Sequence, residues 1–155
     1  MAPPGDNHSA RQMRFSGFLF LHGQLAGHGE ARVEGGIILS RYPDDLRAPD
    51  AAFLTNAQLP PLISPEGYLV TIPELVVEVR SKNDTQPEIA EKVNAYLAAG
   101  VVVVWVADPD ARTVTAYRTG QQPLVFGATD TLTAAGVVPG FAVPGRGFPL
   151  TSRTL

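Results

Sequence analysis

The sequence predicts an α/β fold with a mixed central sheet flanked by helices, on three observations. Leu75-Val-Val-Glu-Val79 has the β-branched content of a strand. Val101-Val-Val-Val-Trp-Val106 is apolar on both faces, as a strand buried within a sheet is. Between them Ile89, Val93, Tyr96 and Leu97 repeat at the spacing of one helix face. Strand, helix and strand within about thirty residues make a βαβ crossover, so the two strands should be parallel with a right-handed connection.

The other elements follow in chain order. A helix is expected from about Ser9 to Leu25, with Met13, Phe20 and Leu21 among its apolar contacts and Gly17 and Gly23 weakening it. Ala31 to Leu39 and Ala51 to Leu54 read as strands of a hairpin around a Tyr42-Pro-Asp-Asp45 turn. Thr55 to Ile72, rich in proline and without periodicity, reads as an irregular surface excursion. The helix from Pro87 to Ala99 has marked ends: Thr85 and Glu88 stand in capping-box spacing, Pro87 suits the first turn, and Gly100 sits where a left-handed C-terminal cap is wanted. Arg112 to Arg118 and Leu124 to Phe126 alternate like edge strands.

The 155 residues fit one domain with a single core, with flexible tails at about 1–8 and 146–155. A content of 45% hydrophobic and 17% charged residues is that of a packed globular chain. The absence of cysteine excludes disulfides, thiol catalysis and cysteine-based zinc sites. His8, His22 and His28 lack metal-ligand spacing with a partner carboxylate, which argues against zinc. The N-terminus has no basic lead, and the apolar stretch Phe15 to Leu21 is short and broken by Ser16 and Gly17; neither a signal peptide nor a membrane span is expected, which points to the cytoplasm. A net charge of −3 argues against a broad basic face for nucleic acid, so any such contact needs the fold to gather the scattered basic residues or a dimer to double them.

Glu78 is the most informative residue, because it interrupts a valine run in a strand covered on both sides, where a lone carboxylate is costly. Alternation puts Leu75, Val77 and Val79 on one face and Val76, Glu78 and Arg80 on the other. Glu78 and Arg80 could neutralise each other there, or Glu78 could hold a cation of the magnesium kind, which takes one or two carboxylates and keeps several waters. Asp50, in Arg47-Ala-Pro-Asp50, stands where an apolar strand begins; it is either a second ligand or an ordinary turn residue. Lys92 lies four residues after Glu88, the spacing of a surface ion pair, yet borders the Ile89 and Tyr96 side of the helix, from which it could reach the sheet.

The run Arg47-Ala-Pro-Asp50-Ala-Ala-Phe53, then Pro73-Glu-Leu-Val-Val-Glu78-Val-Arg-Ser81-Lys-Asn-Asp84, then Glu91-Lys92-Val-Asn-Ala-Tyr96-Leu-Ala-Ala-Gly100-Val, Trp105-Val-Ala-Asp108-Pro109 and Pro139-Gly-Phe141 resembles the Uma-two family of putative restriction endonucleases, within the PD-(D/E)XK nuclease superfamily. The resemblance implies a restriction-endonuclease-like core and a metal-dependent endonuclease acting on DNA. It implies that Asp50 and Glu78, with the main-chain carbonyl of Val79, bind Mg²⁺ (or Mn²⁺) and that Lys92 positions the attacking water, with Arg80, Ser81 and Glu88 as accessory residues. The superfamily's usual lysine, two residues after the strand carboxylate, is replaced by Arg80, which is effectively never deprotonated and cannot act as a base. The alternative is a catalytically silent nuclease fold that serves as a binding or assembly module. A homodimer is expected, because two sites about a two-fold axis match duplex DNA; Val137-Val-Pro-Gly-Phe141 and Phe15 to Leu21 are its candidate contact surfaces unless they close the monomer's own core.

Overall fold

The computed structural model describes Pro3 and residues 5–147. Ten strands form: β1 Gly29–Val33, β2 Ile37–Ser40, β3 Asp45–Arg47, β4 Ala51–Thr55, β5 Leu75–Val79, β6 Val103–Asp108, β7 Thr113–Tyr117, β8 Leu124–Phe126, β9 Thr131–Ala134 and β10 Val138–Pro144. Two α-helices, α1 Asp6–Leu19 and α2 Gln86–Ala99, accompany them. Six strands make one sheet in the order β1-β4-β5-β6-β7-β8, while β2-β3 and β9-β10 are separate two-stranded ribbons. β5 and β6 are parallel, with Val77 opposite Trp105, and the remaining neighbours are antiparallel. The mixed sheet and the crossover are therefore those the valine runs predict.

α2 forms where its capping residues dictate. The Thr85 side chain accepts the Glu88 N–H, the Glu88 carboxylate accepts the Thr85 N–H, and Gly100 closes the helix at φ 111°, where a side chain would be strained. Each such cap stabilises a helix by about 1 kcal/mol. Ile89, Val93 and Tyr96 pack from α2 onto Ala52, Leu54, Val76 and Val104. The opposite face of the sheet carries Phe53, Leu75, Val77 and Trp105 against Phe15 and Leu19 of α1.

Several expectations need correction. The N-terminal helix starts at Asp6, inside the expected tail, and passes into a π-helical turn, Phe20–Gln24. Its buried face is Arg11, Phe15 and Leu19; Met13, Phe20 and Leu21 point outward, with Met13 71% exposed. The axis is set by close approach to β4: a Cβ on Gly23 would meet the Phe53 ring at 2.5 Å, so glycine at this position lets the turn lie on the sheet. The expected Ala31–Leu39 strand is broken at Glu34 (φ 50°) before Gly35 and Gly36, so β1 pairs with β4 while β2 and β3 form their own small hairpin around Tyr42. β7 is an interior strand between β6 and β8. Val137, Val138 and Phe141 are buried, with the Phe141 ring 5.4 Å from Trp105, so these side chains close the monomer's own core. The expected tail at 146–155 lies outside the described residues from 148 onward.

Candidate active site

Asp50 and Glu78 stand at the same end of adjacent strands. Asp50 immediately precedes β4, and its Oδ2 accepts the N–H of Val79, the last residue of β5, at 2.7 Å. Proline at position 49 makes this arrangement possible. Continued two residues past the Ala51–Val77 pair, the β4–β5 register puts Pro49 opposite Val79, and proline has no N–H to offer the Val79 carbonyl. The strand pair ends there, the aspartate side chain takes up the Val79 N–H, and the Val79 carbonyl is left without that partner. Asp50 Oδ1 lies 3.0 Å from His8 Nε2, and Gln12 donates to the Asp50 carbonyl oxygen at 3.1 Å, both from α1.

Glu78 faces α2. Its Oε1 accepts the Tyr96 hydroxyl at 2.7 Å and its Oε2 is 3.9 Å from Lys92 Nζ. Burial pushes the Glu78 carboxyl up to about 7; the charges of Asp50 and Asp84 act in the same direction, while the Tyr96 hydrogen bond and the Lys92 ammonium oppose them. Burial and then the neighbouring Glu78 charge hold the Tyr96 hydroxyl protonated, so it acts as a donor. Arg47 grips both Asp45 and Glu91, tying β3 to α2 one residue before Lys92, and these bonds raise its own pKa further.

The simpler alternatives drawn from sequence are not realised among the described residues. Arg80 bonds Asp108 Oδ2 at 3.1 Å and the Asp84 carbonyl, so it is not the partner of Glu78. Lys92 pairs with Glu78 instead of Glu88. Of the three accessory residues, Glu88 is engaged in the α2 cap and Ser81 N–H in a turn closed by Asp84. Arg80 and Ser81 line, with His8, Arg11, Lys82, Arg112 and the acidic Asp6, Asp108 and Asp110, a cavity of about 620 Å³.

His8, Gln12 and Tyr96 are the participants that sequence reasoning missed. His8 has no metal-ligand spacing with a carboxylate in the sequence, because its carboxylate partner comes from 42 positions away. Tyr96 was legible as core; its one signal was a polar tip on the helix face that meets Glu78.

The donor set suits a hard divalent cation. Both carboxylates are largely shielded from solvent, Glu78 is disfavoured as an anion by burial and by Asp50, and added positive charge would relieve both effects. The oxygens of Asp50 that hold His8 and Val79 each keep a second lone pair. Among the described residues no group of three or more histidine, aspartate or glutamate side chains assembles, so a cation would rest on two carboxylates and the Val79 carbonyl, the sparse set that magnesium completes with water.

A mixed six-stranded sheet with a helix against each face is an α/β fold of the restriction-endonuclease-like class. The Uma2 family model, described as a putative restriction endonuclease, matches residues 1–149, and the chain belongs to that family. Among solved structures, the crystal structure of a putative nuclease belonging to DUF820 from Anabaena variabilis ATCC 29413 is similar with a TM-score of 0.79, at 19% identity over 95% of this chain and 82% of that one, a likeness of fold. No curated protein matches the sequence.

Proposed function

We propose that the protein is a metal-dependent endonuclease of the PD-(D/E)XK kind that hydrolyses phosphodiester bonds in DNA, with Asp50, Glu78 and Lys92 as its working residues. The observation that supports the reading is Glu78 lying 3.9 Å from Lys92 beside the strand end where Asp50 takes the N–H of Val79, the residue after Glu78. Asp50, Glu78 and the Val79 carbonyl would hold Mg²⁺ or Mn²⁺. When bound, the cation supplies Lewis-acid polarisation of the scissile phosphate and a more acidic water. Tyr96 fixes one oxygen of Glu78 so that the other faces Lys92. Lys92 orients the attacking water and neutralises charge that builds on the phosphate. Arg80, paired with Asp108, lines a cavity where Arg11, Lys82 and Arg112 stand among Asp6, Asp108 and Asp110, and the basic side chains there are the ones that would contact a phosphate backbone.

As finer parts of the same proposal, the protein acts in the cytoplasm on duplex DNA as a homodimer. No helix among the described residues is long and apolar enough to cross a membrane. The exposed Phe20, Leu21 and Leu25 offer an apolar contact surface for a second copy, and sedimentation at micromolar concentration tests it. Incubation of supercoiled plasmid with the protein and Mg²⁺ or Mn²⁺ tests the activity. Conversion to nicked or linear DNA by the wild type, lost with EDTA and in Glu78→Ala, is expected; no conversion under any divalent cation would leave the fold as a silent binding module.

A further inference from the structure

α1 carries His8 and Gln12 four residues apart, hence on one helix face, and both reach residue 50. Gln12 fixes its main-chain carbonyl at 3.1 Å and His8 its carboxylate at 3.0 Å. Because an ionised carboxylate only accepts hydrogen bonds, His8 must donate from Nε2. Its Nδ1 is buried without a hydrogen-bond partner among the described residues, so Nε2 makes the side chain's one hydrogen bond there. The remaining oxygen of Asp50 takes the Val79 N–H. The Asp50 carboxylate is thus fixed at both oxygens, once by β5 and once by α1.

We propose that His8 is a positioning residue: its Nε2 donor, on a helix that Gln12 registers against the same residue, sets the rotamer in which Asp50 takes the Val79 N–H. The geometry stands by itself, while its consequence for cation binding rests on the nuclease reading. A ligand held in one orientation loses less freedom when it binds, and removing such an outer partner typically weakens metal affinity by about 10–100-fold.

The test compares His8→Ala, His8→Gln and His8→Asn. Glutamine places an N–H donor near the position of Nε2, whereas asparagine is too short to reach Asp50. Two readouts are taken: the amide resonance and exchange protection of Val79, which reports on Asp50 without any metal, and the affinity for Mn²⁺ measured by electron paramagnetic resonance. Alanine and asparagine should both shift the Val79 amide and weaken Mn²⁺ binding by about 10–100-fold, and glutamine should restore both. The two polar variants keep the comparison usable if His8→Ala folds poorly. Equal behaviour of glutamine and asparagine, or an unmoved Val79 amide in all three, would overturn the proposal. If the wild type binds no Mn²⁺, the nuclease reading fails, and the Val79 amide alone then decides the role of His8.

Discussion

Asp50 and Glu78 stand at the ends of neighbouring strands, yet the two faces of the sheet treat them differently. On the α1 side Asp50 is a structural acceptor: it terminates the β4–β5 pairing by taking the Val79 N–H, and His8 holds its other oxygen. On the α2 side Glu78 is buried beneath one hydroxyl donor and a lysine at 3.9 Å, an environment that favours its protonated form up to about pH 7. One carboxylate contributes to the fold, and the other is kept at a cost to it. A residue held against the interest of stability is where chemistry is to be sought.

The contrast can be broken most forcefully at Lys92. Its side chain is partly exposed, so Lys92→Ala should move stability by less than about 0.5 kcal/mol. Metal-dependent cleavage should fall by about 10²–10³-fold, as when one preorganised donor is lost. Cleavage rates and a melting curve on the same sample check both halves.

Glu78→Gln sharpens the comparison through pH. The folded-state pKa of Glu78 is raised from 4.5 to about 7, so the native state holds a proton that the unfolded chain has released. The stability this group contributes is therefore fully present below pH 4.5 and is lost as pH rises to 7. Glutamine, neutral throughout, should stabilise the protein at pH 8 by up to roughly 3 kcal/mol and by little at pH 4. Urea unfolding at the two pH values measures it. A lower midpoint for the variant at pH 8 would mean that the Lys92 pair outweighs burial.

Asp50→Ala should have the opposite sign. It leaves the Val79 N–H without its acceptor and should cost about 1–3 kcal/mol in the same unfolding experiment. Tyr96→Phe is the smallest effect, a loss of about 1 kcal/mol. Because the Tyr96 hydrogen bond lowers the Glu78 pKa, its removal should move the pH at which divalent cation binding sets in upward, which calorimetric titration across pH 6–9 would record.

What was legible in the sequence follows the range of the interactions. The α2 caps are contacts three residues apart, so Thr85, Glu88 and Gly100 declare themselves. Glu78 was conspicuous because a carboxylate in a valine strand conflicts with its surroundings, and Lys92 could be placed on the helix edge by angle alone. The α1 face was misread through its hydrophobicity: Met13, Phe20 and Leu21 are apolar, but which side of a helix is buried depends on the sheet it meets, here Phe53 against Gly23. His8 and Gln12 act on a residue 42 and 38 positions away, and no local spacing encodes that. The β9–β10 ribbon was equally hidden, since Leu132, Ala134 and Val143 become core only against Trp105 and its neighbours.

The central claim is that Asp50 and Glu78 share one cation despite their different supports. Anomalous scattering from crystals grown with Mn²⁺ and an oligonucleotide tests this most directly. The account predicts a single peak within about 2.0–2.3 Å of an oxygen from each carboxylate and of the Val79 carbonyl. A peak bound to other residues, with these two carboxylates left to His8 and Tyr96 alone in a protein that cleaves DNA, would contradict it.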